Sequence, residues 1–269
     1  MFEIFASADA WVALVTLTFL EIVLGIDNII FISIVANKLP EHQQKKATQW
    51  GLILAMVQRI LLLIGVSYLV ALKEPFYTVD LPWLQIGLSW QSLILFAGGL
   101  FLLYKSTSEI HDKVDLPKHE EQTMEAKVVK SLSNAFIQIL LIDFIFSIDS
   151  ILTAIGMTNG IGEKPGDALI LMVIAVVISI VIMLVFANGI RIFINKHPSM
   201  QLLALSFLIL IGFMLITEAA HLSHTVIFGN PVGAIPKGYL YFAIAFSLFI
   251  EFLNMRMKKK MDFVNGKKN

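Results

Sequence analysis

Seven long apolar stretches leave this chain few folds to choose from. They run over roughly 11–35, 50–72, 88–104, 132–157, 168–194, 202–216 and 239–253, and about 20 mostly apolar residues take a helix across a bilayer's hydrocarbon core. A backbone in lipid must satisfy its own hydrogen bonds. The expected architecture is therefore all-α: a polytopic membrane protein of seven transmembrane helices. Composition agrees, since 57% of the 269 residues are hydrophobic and only 15% are charged, against about 25% charged in soluble domains. The segment from Met1 to Asp9 is acidic and lacks the basic start and cleavage site of a signal peptide, so the first stretch reads as a retained span. The chain has no cysteine, which excludes disulfides, thiolate metal sites and cysteine-based catalysis. A formal net charge of zero gives no argument for nucleic acid as a partner. The bilayer itself is the expected partner.

The basic residues orient the spans. Read in alternation, the segments after the first, third, fifth and seventh spans hold sixteen of the twenty basic residues, whereas Lys73, Lys164 and Lys237 fall on the other side. The positive-inside rule then places the N-terminus outside and the C-terminus in the cytoplasm. Residues 105–131 mix both signs, include Pro117 and read as a cytoplasmic linker. The domain reading is a first transmembrane repeat over 1–104, this linker, a second repeat over 132–220, an extracytoplasmic loop over 221–238, and a seventh helix with a basic tail over 239–269. The first span enters from outside and the fourth from inside, so the two three-helix repeats would be inverted relative to each other. Many secondary transporters are built this way, with their site at the repeat interface near the midplane.

Carboxylates inside two of the spans carry the functional argument. Glu21-Ile-Val-Leu-Gly-Ile-Asp27-Asn28 in the first is echoed by Asp143-Phe-Ile-Phe-Ser-Ile-Asp149-Ser150 in the fourth, with Glu21 to Asp143 and Asp27 to Asp149 each a step of 122 residues. Ionisable groups at membrane depth are unfavourable by a few kcal/mol or more, and they mark ion, substrate or proton paths. On an ideal helix Glu21 and Asn28 share a face while Asp27 points about 120° away. Gly25 is the expected point of local unwinding, which would redirect Asp27 and free backbone carbonyls as ligands. Ser147 is the corresponding, weaker breaker. Four carboxylates and an amide form an all-oxygen donor set of the kind that hard cations such as Mn2+, Mg2+ and Ca2+ prefer. The same acids suit a proton relay, and Asn28 or Ser150 also suits plain hydrogen bonding between helices.

Other polar residues are less informative. Arg59, inside the second span, is either a side chain reaching for the interface or the counter-charge of an intramembrane acid. Gly99-Leu-Phe-Leu-Leu-Tyr-Lys105 can be laid on Gly212-Phe-Met-Leu-Ile-Thr-Glu218, a fainter echo between the third and sixth spans. His221 and His224 read as loop histidines, and Glu251 with Asn254 as packing near the cytoplasmic edge. No nucleotide-binding loop, nucleophile–base pair or His-Glu-x-x-His is present, so no enzyme activity is expected, nor a covalently bound cofactor.

The run Leu20 to Phe31, the run Asp143 to Ser150, and Ile235-Pro-Lys-Gly-Tyr-Leu-Tyr241 with Ala-Phe-Ser247 and Glu251-Phe-Leu-Asn254 resemble the TerC family of integral membrane proteins. The resemblance covers nearly the whole chain. It implies a seven-span protein of the bacterial cell (inner) membrane, of a type associated with tellurium-resistance loci and with export of manganese or other divalent cations. It also implies that Glu21, Asp27, Asn28, Asp143 and Asp149 belong to a metal-ion site. The sequence departs from the family where Ala234 stands in place of a His before Ile-Pro-Lys-Gly-Tyr, after an insert with His221 and His224. The expected function is export of a divalent cation, Mn2+ foremost, as transported substrate. The competing expectation is a non-transporting membrane scaffold or assembly factor in a metal-stress or secretion system.

Overall fold

The computed structural model describes residues 3–65, 72–114, 131–158, 161 and 166–266, and within its helices the side chains of Asp27 and Asp149 lie outside what is described. Seven helices long and apolar enough to cross a membrane are present among these residues: α1 (Ala8–Ala36), α2 (Glu41–Ile64), α3 (Trp90–Val114), α4 (Leu132–Thr158), α5 (Asp167–Lys196), α6 (Pro198–Leu222) and α7 (Lys237–Gly266). Their ends are set by local chemistry. Ser7 caps α1 by accepting the Ala10 N–H, Ser89 and Ser92 satisfy each other's backbone N–H at the start of α3, and Pro198 opens α6 in the first turn, where its missing N–H leaves no bond unmade.

The helices are longer than the apolar runs alone require. α3 continues to Val114, so residues 105–114 of the expected linker are helical, with a Lys105–Glu109 pair one turn apart; 115–130 lie outside the described residues. α6 likewise extends past both ends of its apolar run, and His221 falls in its last turn. α1 is unbroken from Ala8 to Ala36, so the unwinding expected at Gly25 is absent. Glycine serves close approach there: a Cβ on Gly25 would stand 2.2 Å from the Met183 sulfur of α5.

Packing runs between the halves. α1 lies along α5 and α2 along α4; α1 meets α6 as α3 meets α4; and α1–α4, α2–α5 and α3–α6 complete the interior. Lipid tails are as apolar as side chains, so helices in a membrane associate through tight packing and small residues rather than through the hydrophobic effect. α3 and α6 show this most directly. A Cβ on Gly99 would lie 2.6 Å from the Gly212 carbonyl oxygen, and one on Gly212 would lie 2.9 Å from that of Gly99. α7 stays at the edge of the bundle, with Phe242, Phe246, Phe249 and Phe252 exposed on it.

One end of the bundle carries a feature that the apolar pattern did not announce. Residues after α2 form a hairpin, β1 (Pro75–Leu81) with β2 (Leu84–Ser89), and residues after α6 form a smaller one, β3 (Val226–Ile227) with β4 (Asn230–Pro231). The two join into one antiparallel sheet in the order β1-β2-β3-β4. Gly87 N donates to Ser223 O at 2.7 Å and Phe228 N to Trp83 O at 2.9 Å. A tight turn after β3 places Phe228 and Gly229 at positive φ, 50° and 78°.

Candidate functional site

Arg59 sits on the buried stripe of α2, in line with Gly51, Leu52, Ala55 and Leu63. That stripe faces α4 and α5, so the guanidinium enters the bundle rather than the interface. It is 2% exposed, Glu21 3% and Asp143 4%. At that burial an unpaired charge is strongly destabilising, and the fork geometry of Arg meets the demand. Nη1 pairs with Glu21 Oε2, Nη2 with Asp143 Oδ1 at 2.9 Å, and Nε donates to Ser147 Oγ at 3.0 Å. Ser147 in turn donates to Asp143 Oδ2 at 3.1 Å. The first acid of each motif thus meets at one cation, and the serine read as a helix breaker is a hydrogen-bond bridge in an intact helix.

Asn28 closes the cluster. Two helical turns beyond Glu21, it presents its amide on the same face, and Nδ2 donates to Asp143 Oδ1 at 3.0 Å. A carboxylate only accepts, so this bond fixes which end of the amide is nitrogen. The carbonyl end points elsewhere: Oδ1 is buried and meets no donor among the described residues. Asn28 also stands between two spaces. A cleft of about 60 Å³ extends from Asn28 and Arg59 past Phe146, Ser150 and Glu218 to Lys237 and Tyr241 near the sheet end, and one water needs only about 10–15 Å³. A void of about 10 Å³, lined by Asn28, Ile32, Leu52, Asp143 and Met183, lies toward the opposite end.

Of the five residues expected to hold metal, Glu21, Asn28 and Asp143 therefore converge, while the side chains of Asp27 and Asp149 lie outside the described residues. Among the described residues no three His, Asp or Glu side chains gather into a metal-ligand group. The weaker candidates go to other tasks. Glu251 accepts hydrogen bonds from Ser199 and from Asn254, the latter at 3.4 Å, and so ties α7 to α6. His224 lies just past α6 with φ of 47°, beside the sheet.

At the end opposite the sheet a second polar group joins helix ends. Lys38 and Lys105 both pair with Glu109 Oε1, the latter at 2.8 Å, and burial draws the Lys38 ammonium below its ordinary pKa against the pull of Glu109. Asn37 and Asn195 exchange amide hydrogen bonds, and Arg191 donates to Gln44 at 2.7 Å. Side chains thus tie the halves at this end, while the cleft extends toward the sheet end.

Comparison with known proteins settles the lineage. The model of the integral membrane protein TerC family matches residues 6–264. The chain belongs to the TerC family. Among relatives of this TerC protein, a Haemophilus influenzae protein called "UPF0053 protein" is 41% identical over 261 residues, 97% of this chain and 100% of that one. "UPF0053 inner membrane protein YgdQ" of Escherichia coli K12 is 42% identical over 260 residues, 97% of this chain and 98% of its own. The longer "UPF0053 protein YegH" of the same strain is 41% identical over 252 residues, which is 94% of this chain and 43% of YegH. No solved structure matches.

Arg59 is the member of the buried cluster that sequence reasoning left undecided, and a signal for it existed. Ala47, Gly51, Ala55 and Arg59 recur every four residues, which is one face of a helix, and small residues mark the face that packs on other helices.

Proposed function

We propose that this TerC protein carries a divalent metal cation, Mn2+ foremost, across the bacterial cell (inner) membrane and exports it from the cytoplasm. The observation that carries this reading is the Asn28 carbonyl oxygen, buried and without a donor among the described residues, on an amide whose nitrogen contacts the Asp143 carboxylate and which lines a cleft. An acceptor so placed is unfavourable by about 1–3 kcal/mol unless something electropositive comes to it, and a hard cation binds such oxygens. Asp27 and Asp149, the second acids of the two motifs on the same helices, would add further oxygens, Asp27 from a neighbouring face of the unbroken α1. Transport in this scheme involves no bond-making, so the protein would not be an enzyme.

Inverted repeats would supply alternating access in this reading. Contacts between the halves come in matched pairs, α1–α5 with α4–α2 and α1–α6 with α4–α3, as a two-fold relation of 1–104 to 132–220 requires. The excess of basic residues at the end opposite the sheet supports a cytoplasmic location for that end. Purified protein in liposomes loaded with a metal-sensitive dye tests the function. Mn2+ flux should be clear for the wild type and reduced at least about tenfold, the effect of 1.4 kcal/mol in binding, by Asp27→Asn or Asp149→Asn, with thermal stability kept. Absence of flux by the wild type would favour the scaffold reading instead.

A further inference from the structure

The two motifs differ in one respect that their spacing does not show. Gly25 and Ser147 hold equivalent places, 122 residues apart, and each receives a side chain from the partner half. Gly25 receives the thioether of Met183 from α5, whereas Ser147 receives the guanidinium of Arg59 from α2. A neutral group thus stands in one half where a cation stands in the other. Arg59 gathers Glu21, Asp143 and Ser147 around itself, and Asn28 shares the same Asp143 oxygen. Those are the oxygen donors a hard metal ion would take. One guanidinium leaves the two carboxylates with a surplus negative charge; one divalent ion in its place would neutralise them.

We propose that Arg59 is a tethered counter-cation: it occupies the carboxylates while the site is empty, and the transported cation displaces it. This rests on the transport reading above. Two acids without a counter-charge at 3% and 4% exposure would be strongly destabilising, so an empty carrier lacking Arg59 could not readily reset through its closed states. With Arg59 the empty site needs no other ion to make that return. The displaced side chain also has space to enter, because Arg59 lines the cleft. Binding then carries a handicap, since the metal sees its acids only in the fraction of molecules whose arginine is out.

The experiment compares wild type, Arg59→Gln and Arg59→Lys in proteoliposomes, with Mn2+ as the probe. Arg59→Gln removes the competitor, so its Mn2+ dissociation constant should fall at least about tenfold, the change expected if the arginine occupies the acids nine-tenths of the time. Net Mn2+ flux should drop while Mn2+/Mn2+ exchange, which never passes through the empty carrier, is retained. Mn2+ should also raise the unfolding temperature more in this variant than in the wild type. A purely structural arginine predicts otherwise, with affinity unimproved and net flux and exchange falling together, and that result would overturn the proposal. If Arg59→Gln does not yield folded protein, Arg59→Lys decides. Its single ammonium cannot fork across both acids, so Mn2+ should bind more tightly than to wild type, and equal or weaker binding overturns the proposal. Wild-type protein that neither binds nor moves Mn2+ would overturn the transport reading and this inference together, whereas a failure confined to the variants removes only the inference.

Discussion

Ser147 is the smallest member of the buried cluster, yet two of its hydrogen bonds run through it, one from Arg59 Nε and one to Asp143 Oδ2. Ser147→Ala would leave the Arg59 Nε–H without its acceptor in a site with no exposure at that residue. The expected loss is about 1–3 kcal/mol, the cost of a buried group left unsatisfied, and thermal unfolding in detergent measures it. The repeated spacing of the acids made their helices and depth legible in the sequence, because a carboxylate in an apolar run is conspicuous. Ser147 was not legible in the same way. A serine in a spanning helix usually bonds back to its own turn or to a neighbour, and which one depends on what the facing helix presents. The same holds for Met183, whose part follows only from the absence of a side chain on Gly25.

Between elements, α3 and α6 cross with Gly99 and Gly212 each facing the other's carbonyl oxygen. Because the obstacle on each side is backbone rather than a flexible side chain, an added methyl cannot be absorbed by a rotamer change. Gly99→Ala and Gly212→Ala should each destabilise by about 1–3 kcal/mol. Gly189→Ala in α5 serves as a control, for its Cβ would meet nothing within 4 Å and alanine favours a helix interior; unfolding temperatures of the three variants decide the matter. Span number was readable from length and hydropathy alone. Helix ends were less so: α3 runs ten residues beyond its apolar stretch to Val114, supported by charged pairing that a hydropathy window discards. The sheet was invisible for a different reason. β3 and β4 are two residues each, and β2 and β3 come from loops far apart in sequence, so no local periodicity records their pairing.

At the scale of the molecule, orientation and repeat symmetry make one testable statement. Single cysteines at Ser7 and Phe228, introduced into this cysteine-free chain, should label from outside the cell, and cysteines at Glu41 and Met257 only after the membrane is made permeable. Labelling of all four from one side would remove both the positive-inside assignment and the inverted repeats. The sheet that joins the two halves has a consequence of another kind. Its cross-links, Gly87 N to Ser223 O, Phe228 N to Trp83 O and the β2–β3 ladder, are made by peptide groups that every residue except proline supplies in full. The tie therefore tolerates drift in nearly every side chain along it. Two loops can diverge freely in sequence while the halves they belong to stay laced together, and a cut peptide bond would undo that lacing more readily than most substitutions.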